Sequence, residues 1–302
     1  MTLHLLNSLP GPVALVLGSG GLNAAAQAGM LGPLAGWQPD IIVGASGGAL
    51  TASCLATAGD VAAGAVLSAE AWRQVADSKL VQIGWTTMAG AVTGRENGRR
   101  TKAWRALFES LFDAAELADN GTQALVATNL STGQPHLFTH GPIVPALMAA
   151  AAFPAVASAV ELDDEVLVDG SFTASLPVLQ AVGLGARSVV ALDTGRAQIA
   201  GESTAPKRWY DVVMASVRHQ VAANAAHDVA TAAAHLPIVI LSTADPFRVM
   251  WHDIPDRIAA GETAGRDQLA ALKSRWTSIH EPGVYTAADE VRLDRRLTGV
   301  VR

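Results

Sequence analysis

The sequence predicts an α/β fold: three layers, α/β/α, around a mainly parallel central sheet. Two observations predict it. Short apolar runs of strand length stand at residues 13–17, 40–43, 188–192 and 237–241, and Ala-rich stretches with helical spacing separate them. Strands alternating with helices place a parallel sheet between two helical layers. The 302 residues are 50% apolar and only 16% charged, ample for a large buried core. The whole chain, 1–302, reads as one unit, with a motif-bearing core at about 11–195 and a helical C-terminal portion at about 205–302. Aromatic residues make up only 5%, so the core must be built mostly from Ala, Val and Leu.

The elements follow in order. The run at 13–17 is the first strand, ending in Gly18-Ser19-Gly20-Gly21, and an Ala-rich helix is expected over 22–35. The second strand, 40–43, leads into a helix over 47–58. Asp60 is suited to cap the next helix, which runs to about 77. Residues 78–100 read as a surface loop or lid carrying Arg95, Arg99 and Arg100. Thr101 is expected to cap a helix through Phe112, with Trp104, Leu107, Phe108, Leu111 and Phe112 at core spacing. Strands are expected at 124–128 and 136–138 around a turn at 131–134. A helix over 142–152 is stopped by Pro154. A short strand at 166–168 runs into Asp169-Gly170, and Pro177 lies in the first turn of a helix at 176–182. After the strand at 188–192 come a long helix over 208–235, a last strand at 237–241, and a helix from about 255.

Composition also excludes. A net charge of −6 argues against a nucleic-acid binder. The lone cysteine, Cys54, rules out an intramolecular disulfide and speaks against structural zinc. The first residues lack the pattern of a signal peptide, and the apolar stretch at 145–160 is too short to cross a bilayer. A soluble, cytoplasmic chain that touches membranes at most peripherally is expected.

Gly44-Ala45-Ser46-Gly47-Gly48 carries the chemistry. It is a G-x-S-x-G pattern between a strand and a helix, the setting in which a serine hydroxyl is pushed out of the sheet as a nucleophile. Two further motifs can complete a site. N–H groups in the loop Gly18–Gly21 can converge on an oxyanion, where losing one donor costs roughly 3–4 kcal/mol. Asp169, at a strand end beside Gly170, can accept the serine proton; Asp193, at another strand end, is the rival. His136, His140, His219, His227 and His235 read as solvated or core residues and not as bases or metal ligands. No Gly-Lys-Ser/Thr occurs, so there is no P-loop. As a dinucleotide fingerprint the glycine loop lacks its third glycine, and Asp40 opens the next strand instead of closing it.

Taken in order, the motifs resemble the patatin-like phospholipase family. The resemblance covers about residues 13–193: the glycine loop, the elbow at 43–50, Ala127-Thr128-Asn129-Leu130-Ser131-Thr132-Gly133, Ala149-Ala150-Ala151-Ala152-Phe153-Pro154, Leu167-Val168-Asp169-Gly170-Ser171, Ser175-Leu176-Pro177-Val178 and Leu184-Gly185-Ala186. It implies a Ser–Asp dyad hydrolase acting on acyl esters of lipids, with no metal or organic cofactor. Ser46 matches the nucleophile and Asp169 the base. The amides around Gly20, Gly21 and Leu22 match the oxyanion hole; Gly44, Gly47, Gly48 and Gly170 support elbow and dyad. The sequence departs from the family pattern in three places. Asn23 and Ala24 replace a basic residue and a glycine, which removes a cation that could meet a phosphate. Ser171 adds a hydroxyl after Asp169-Gly170. Ala174-Ser175 replaces an Asn-Asn pair. A catalytically weak lipid- or acyl-binding regulatory relative is the alternative, and a nucleotide-binding α/β protein a third reading.

Overall fold

At the centre of the sheet, the runs buried on both faces form parallel strands. The structure, a computed structural model, describes residues 2–78, 80, 95–154, 156–195, 209–243 and 251–287. Strands β1 (Val13–Leu17), β2 (Ile41–Ala45) and β9 (Ser188–Asp193) are buried at every position. A nine-stranded sheet has the order β11-β10-β9-β1-β2-β4-β8-β7, with β5 also paired to β4. Here β4 is Gln123–Asn129, β5 Pro135–Phe138, β7 Val160–Leu162, β8 Glu165–Asp169, β10 Pro237–Ser242 and β11 Gly283–Tyr285. A separate two-stranded ribbon joins β3 (Glu116–Leu117) to β6 (Gly141–Pro142).

Alternation along each central strand divides the core in two. In β1, Leu15 and Leu17 face one helical layer, while Ala14 and Val16 face the other. The first layer holds α1 (Ala25–Leu31), α2 (Gly47–Ala58), α3 (Val61–Ser78), α4 (Arg95–Phe112), α5 (Ile143–Ala150) and α9 (Ile254–Arg275). The second holds α6 (Ser171–Ala174), α7 (Val178–Gly183) and α8 (Trp209–Ala233). The expected three-layer α/β/α architecture is therefore what the chain adopts. Trp104, Phe108 and Phe112 are buried in the first layer, as their spacing implied.

Several expected details differ. Helix α4 starts at Arg95, so Thr101 lies inside it and caps nothing; its hydroxyl accepts the Ser158 N–H at 3.0 Å. Arg95, Arg99 and Arg100 therefore sit on a helix, where the sequence suggested a loop. Arg100 is drawn back onto the Leu80 carbonyl. The rest of the expected lid, residues 81–94 and Lys79, lies outside the described residues. The strand at Pro237 is not the last, because β11 pairs with it in parallel. Strand β7 and the short helix α6 were not expected: at three and four residues they are too short to show a period. Asp60 does cap α3, accepting the Ala63 N–H at 2.8 Å.

Candidate active site

Ser46 stands where β2 ends and α2 begins. Its backbone is left-handed in φ, at 54° with ψ −125°, a conformation that non-glycine residues avoid and that costs on the order of 1–3 kcal/mol. The glycines around it make this turn possible. A Cβ on Gly48 would lie 2.1 Å from the Leu17 carbonyl oxygen, so α2 can start this close to β1 only with glycine there. Gly44 packs against Gly48 and Ala52 in the same way, and Gly47 against Gly21 and Ala24.

Asp169 arrives from the opposite direction. Strand β4 carries β5 along one edge and is shared on its other edge by two strands. Parallel β2 pairs with its first half, ending at Ala45 opposite Val126. Antiparallel β8 pairs with its second half, ending at Asp169 opposite Ala127. The two strands thus meet with their C-terminal ends at adjacent β4 residues. A Cβ on Gly170 would sit 2.0 Å from the Val126 carbonyl oxygen, which explains glycine at this junction.

The side chains close the gap. Ser46 Oγ donates to Asp169 Oδ2 at 2.7 Å. The Ser171 N–H donates to Asp169 Oδ1 at 2.8 Å. The Thr128 hydroxyl donates to the Asp169 carbonyl at 2.9 Å. Both partners are buried, Ser46 at 8% exposure and Asp169 at 1%. Burial pushes the Asp169 carboxyl above its ordinary value; the Ser171 side chain and N–H and the Ser46 hydroxyl counter only part of this. The Ala150 carbonyl, at the end of α5, accepts both the Ser46 and the Gly170 N–H at 3.2 Å, and the Ala152 carbonyl accepts the Asp169 N–H at 3.1 Å. One alanine segment thereby holds both branches of the pair.

The glycine loop lies beside the elbow. Gly21 takes φ 54°, and a Cβ on Gly47 would lie 2.8 Å from the Gly21 carbonyl oxygen. A 3-10 turn runs over Gly21–Ala24. The N–H groups of Gly21 and Leu22 donate to no acceptor among the described residues. The first turn of α2 brings its own N–H groups to the same corner.

The other candidates make different contacts. The Asp193 carboxylate accepts the Gly195 N–H at 3.0 Å, as a turn residue does. Asp40 accepts the Val13 N–H at 2.7 Å and anchors β1. His136 pairs with Glu165 at 2.7 Å; His140, His219 and His227 are exposed. Among the described residues no group of three or more His, Cys, Asp or Glu could hold a metal, and no helix is long and apolar enough to cross a membrane. Sequence reasoning gave no role to Ala150, Ala152 or Thr128. The first two act through carbonyls, and only the run of small residues at 149–152 hinted at close backbone packing.

The model of the family described as patatin-like phospholipase matches residues 15–182, from β1 into α7. That stretch is more than half of the chain and contains the loop, Ser46 and Asp169. The chain belongs to the patatin-like phospholipase family. Membership implies lipid acyl hydrolase activity. Two solved structures are also similar. VipD from Legionella pneumophila is 15% identical with a TM-score of 0.49, covering 89% of this chain and 68% of VipD. The type III effector protein ExoU is 16% identical with a TM-score of 0.37, covering 87% of this chain and 54% of ExoU.

Proposed function

We propose that this patatin-like chain is a serine acyl hydrolase that cleaves carboxylic esters of lipids through a Ser46–Asp169 dyad and an acyl-enzyme. The observation that carries this reading is the 2.7 Å hydrogen bond from Ser46 Oγ to Asp169 Oδ2, made at a left-handed elbow. Asp169 takes the Ser46 proton as Oγ attacks the ester carbonyl. The N–H groups around Gly20, Gly21 and Leu22 receive the oxyanion. Asp169 returns the proton to the departing alcohol, then activates a water that releases the fatty acid and frees Ser46. A carboxyl raised by burial is a stronger base once ionised, which suits it to this work.

The substrate is presented at a lipid surface that the protein touches peripherally. A phosphate is not needed by the site, because the uncharged Asn23 occupies the place of the family's basic residue. Residues 209–243 and 251–287 complete the same structural unit, since β10 and β11 extend the sheet and α9 packs on α1.

A fluorophosphonate probe tests the dyad. It should label Ser46 in the wild-type protein and leave Ser46→Ala unlabelled. A panel of acyl esters varying head group and chain length should lose turnover in Ser46→Ala and Asp169→Asn. Unchanged turnover in Ser46→Ala would instead support the lipid-binding alternative.

A further inference from the structure

The glycine loop has to stay in register with a base that lies far away in sequence. Its first residue is tied to β9: the Gly18 N–H donates to the Leu192 carbonyl at 3.1 Å, and the buried Gln27 amide spans the Gly18 and Leu192 carbonyls at 2.7 and 3.1 Å. None of these bonds reaches the branch that carries Asp169. The next residue does. The Ser19 N–H donates to the Ser175 carbonyl at 2.7 Å, and the two hydroxyls meet at 2.5 Å, the short end of the range for such bonds.

Ser175 is firmly connected to Asp169. Helix α6 closes on Gly170, whose carbonyl accepts the Ala174 N–H at 2.9 Å. The Thr128 hydroxyl, bonded to the Asp169 carbonyl, meets the Thr173 hydroxyl at 2.9 Å. The six residues from Gly170 to Ser175 therefore form a short strut from the carboxylate to the loop. Ser19 is 7% exposed, so its hydroxyl has little water to turn to.

We infer that Ser19 and Ser175 are positioning residues: their hydroxyl pair locks the loop bearing Gly20, Gly21 and Leu22 to the chain segment that carries Asp169. Neither touches reacting atoms; they act by keeping oxyanion donors and base in one frame. The inference rests on reading this loop as the oxyanion hole. The bond from the Ser19 N–H survives removal of either hydroxyl, so Ser19→Ala and Ser175→Ala should fold.

Two measurements test it. Steady-state kinetics on a short acyl ester should show kcat lowered about tenfold in each single variant, below the loss for a missing oxyanion donor, with KM little changed. The double variant should be no worse than the poorer single, because both remove one bond, and Ser175→Thr, which keeps a hydroxyl, should recover most of the rate. Hydrogen exchange of the peptide covering residues 18–22, which needs no activity, should quicken in both Ser→Ala variants while the rest of the chain is unchanged. Wild-type kcat with unaltered exchange in Ser19→Ala, or rate losses that multiply in the double variant, would overturn the inference. Failure of the hydrolase reading looks different: wild-type protein that neither turns over esters nor labels at Ser46, with the exchange result still deciding whether the pair holds the loop.

Discussion

Ser46 and Asp169, 123 positions apart, share a 2.7 Å hydrogen bond because their strands end head to head on one edge of β4. Parallel β2 and antiparallel β8 use neighbouring halves of that edge, so the residues just beyond Ala45 and at Asp169 fall beside Val126 and Ala127. The pairing is made by sheet topology before any side chain is placed. Mixed strand direction is thus part of the site, since a wholly parallel sheet would carry the aspartate to a different height.

The buried carboxylate gives a pH-dependent prediction. The Asp169 carboxyl is raised above its ordinary 3.8 in the folded protein. The folded state therefore holds a proton that the unfolded state has lost, and stability falls as pH rises through that window. Asp169→Asn removes the dependence. Urea denaturation should show the variant gaining on the wild type as pH rises above about 4, with the gap smallest in acid. A gap that is constant with pH would contradict burial as the cause. In activity, the variant should lose about 10²–10⁴-fold in kcat, and the acid limb of the wild-type profile should fall above the ordinary carboxylate range.

The elbow predicts an inverted substitution rule. Alanine normally stabilises a chain relative to glycine, because glycine loses more backbone freedom on folding. At Ser46 the φ of 54° reverses this. Both Ser46→Gly and Ser46→Ala remove the hydroxyl and its bond to Asp169, so their difference isolates the backbone. Ser46→Gly should be the more stable by about 1 kcal/mol, read from chemical denaturation of the two proteins side by side.

The three-layer fold was legible because strands buried on both faces leave continuous apolar runs, and those at 13–17, 188–192 and 237–241 need no partner to be seen. Ser46, the glycine loop and Asp169 were legible as motifs, since each needs small residues at set places for steric reasons. What held them together was not. The Ala150 carbonyl that accepts both the Ser46 and Gly170 N–H acts through backbone, and any residue supplies a carbonyl. Likewise the start of α4 at Arg95 was hidden by polar, Gly-containing residues with no apolar period. Thr101 imitated a cap while serving a contact with Ser158, distant in sequence.

Cys54 offers a probe of the core. It is buried in α2, and desolvation pushes its thiol up to about 12. The thiolate is the reactive form, so native protein at neutral pH should be inert toward a thiol-specific disulfide reagent. Adding denaturant should release one equivalent of reactive thiol, in step with the loss of helical circular dichroism. Rapid labelling without denaturant would show that α2 opens on its own.

Helix α1, which follows the glycine loop, meets α9 backbone to backbone. A Cβ on Gly261 would lie 1.9 Å from the Ala26 carbonyl oxygen, and one on Gly29 would lie 1.9 Å from that of Ile258. No rotamer change relieves a clash with main chain, so the helices must separate and the core between them opens. Gly261→Ala should therefore destabilise by about 2 kcal/mol or more. The same change at Gly98, in α4 with no neighbour among the described residues within 4 Å of the added Cβ, should stabilise by roughly 0.5–1 kcal/mol through helix propensity. Thermal or urea denaturation of the two variants separates the effects, and equal behaviour would mean that α1 and α9 are not in this close contact. Because α1 carries Gln27, whose amide holds the Gly18 carbonyl, Gly261→Ala should also lower ester turnover at temperatures where the variant remains folded.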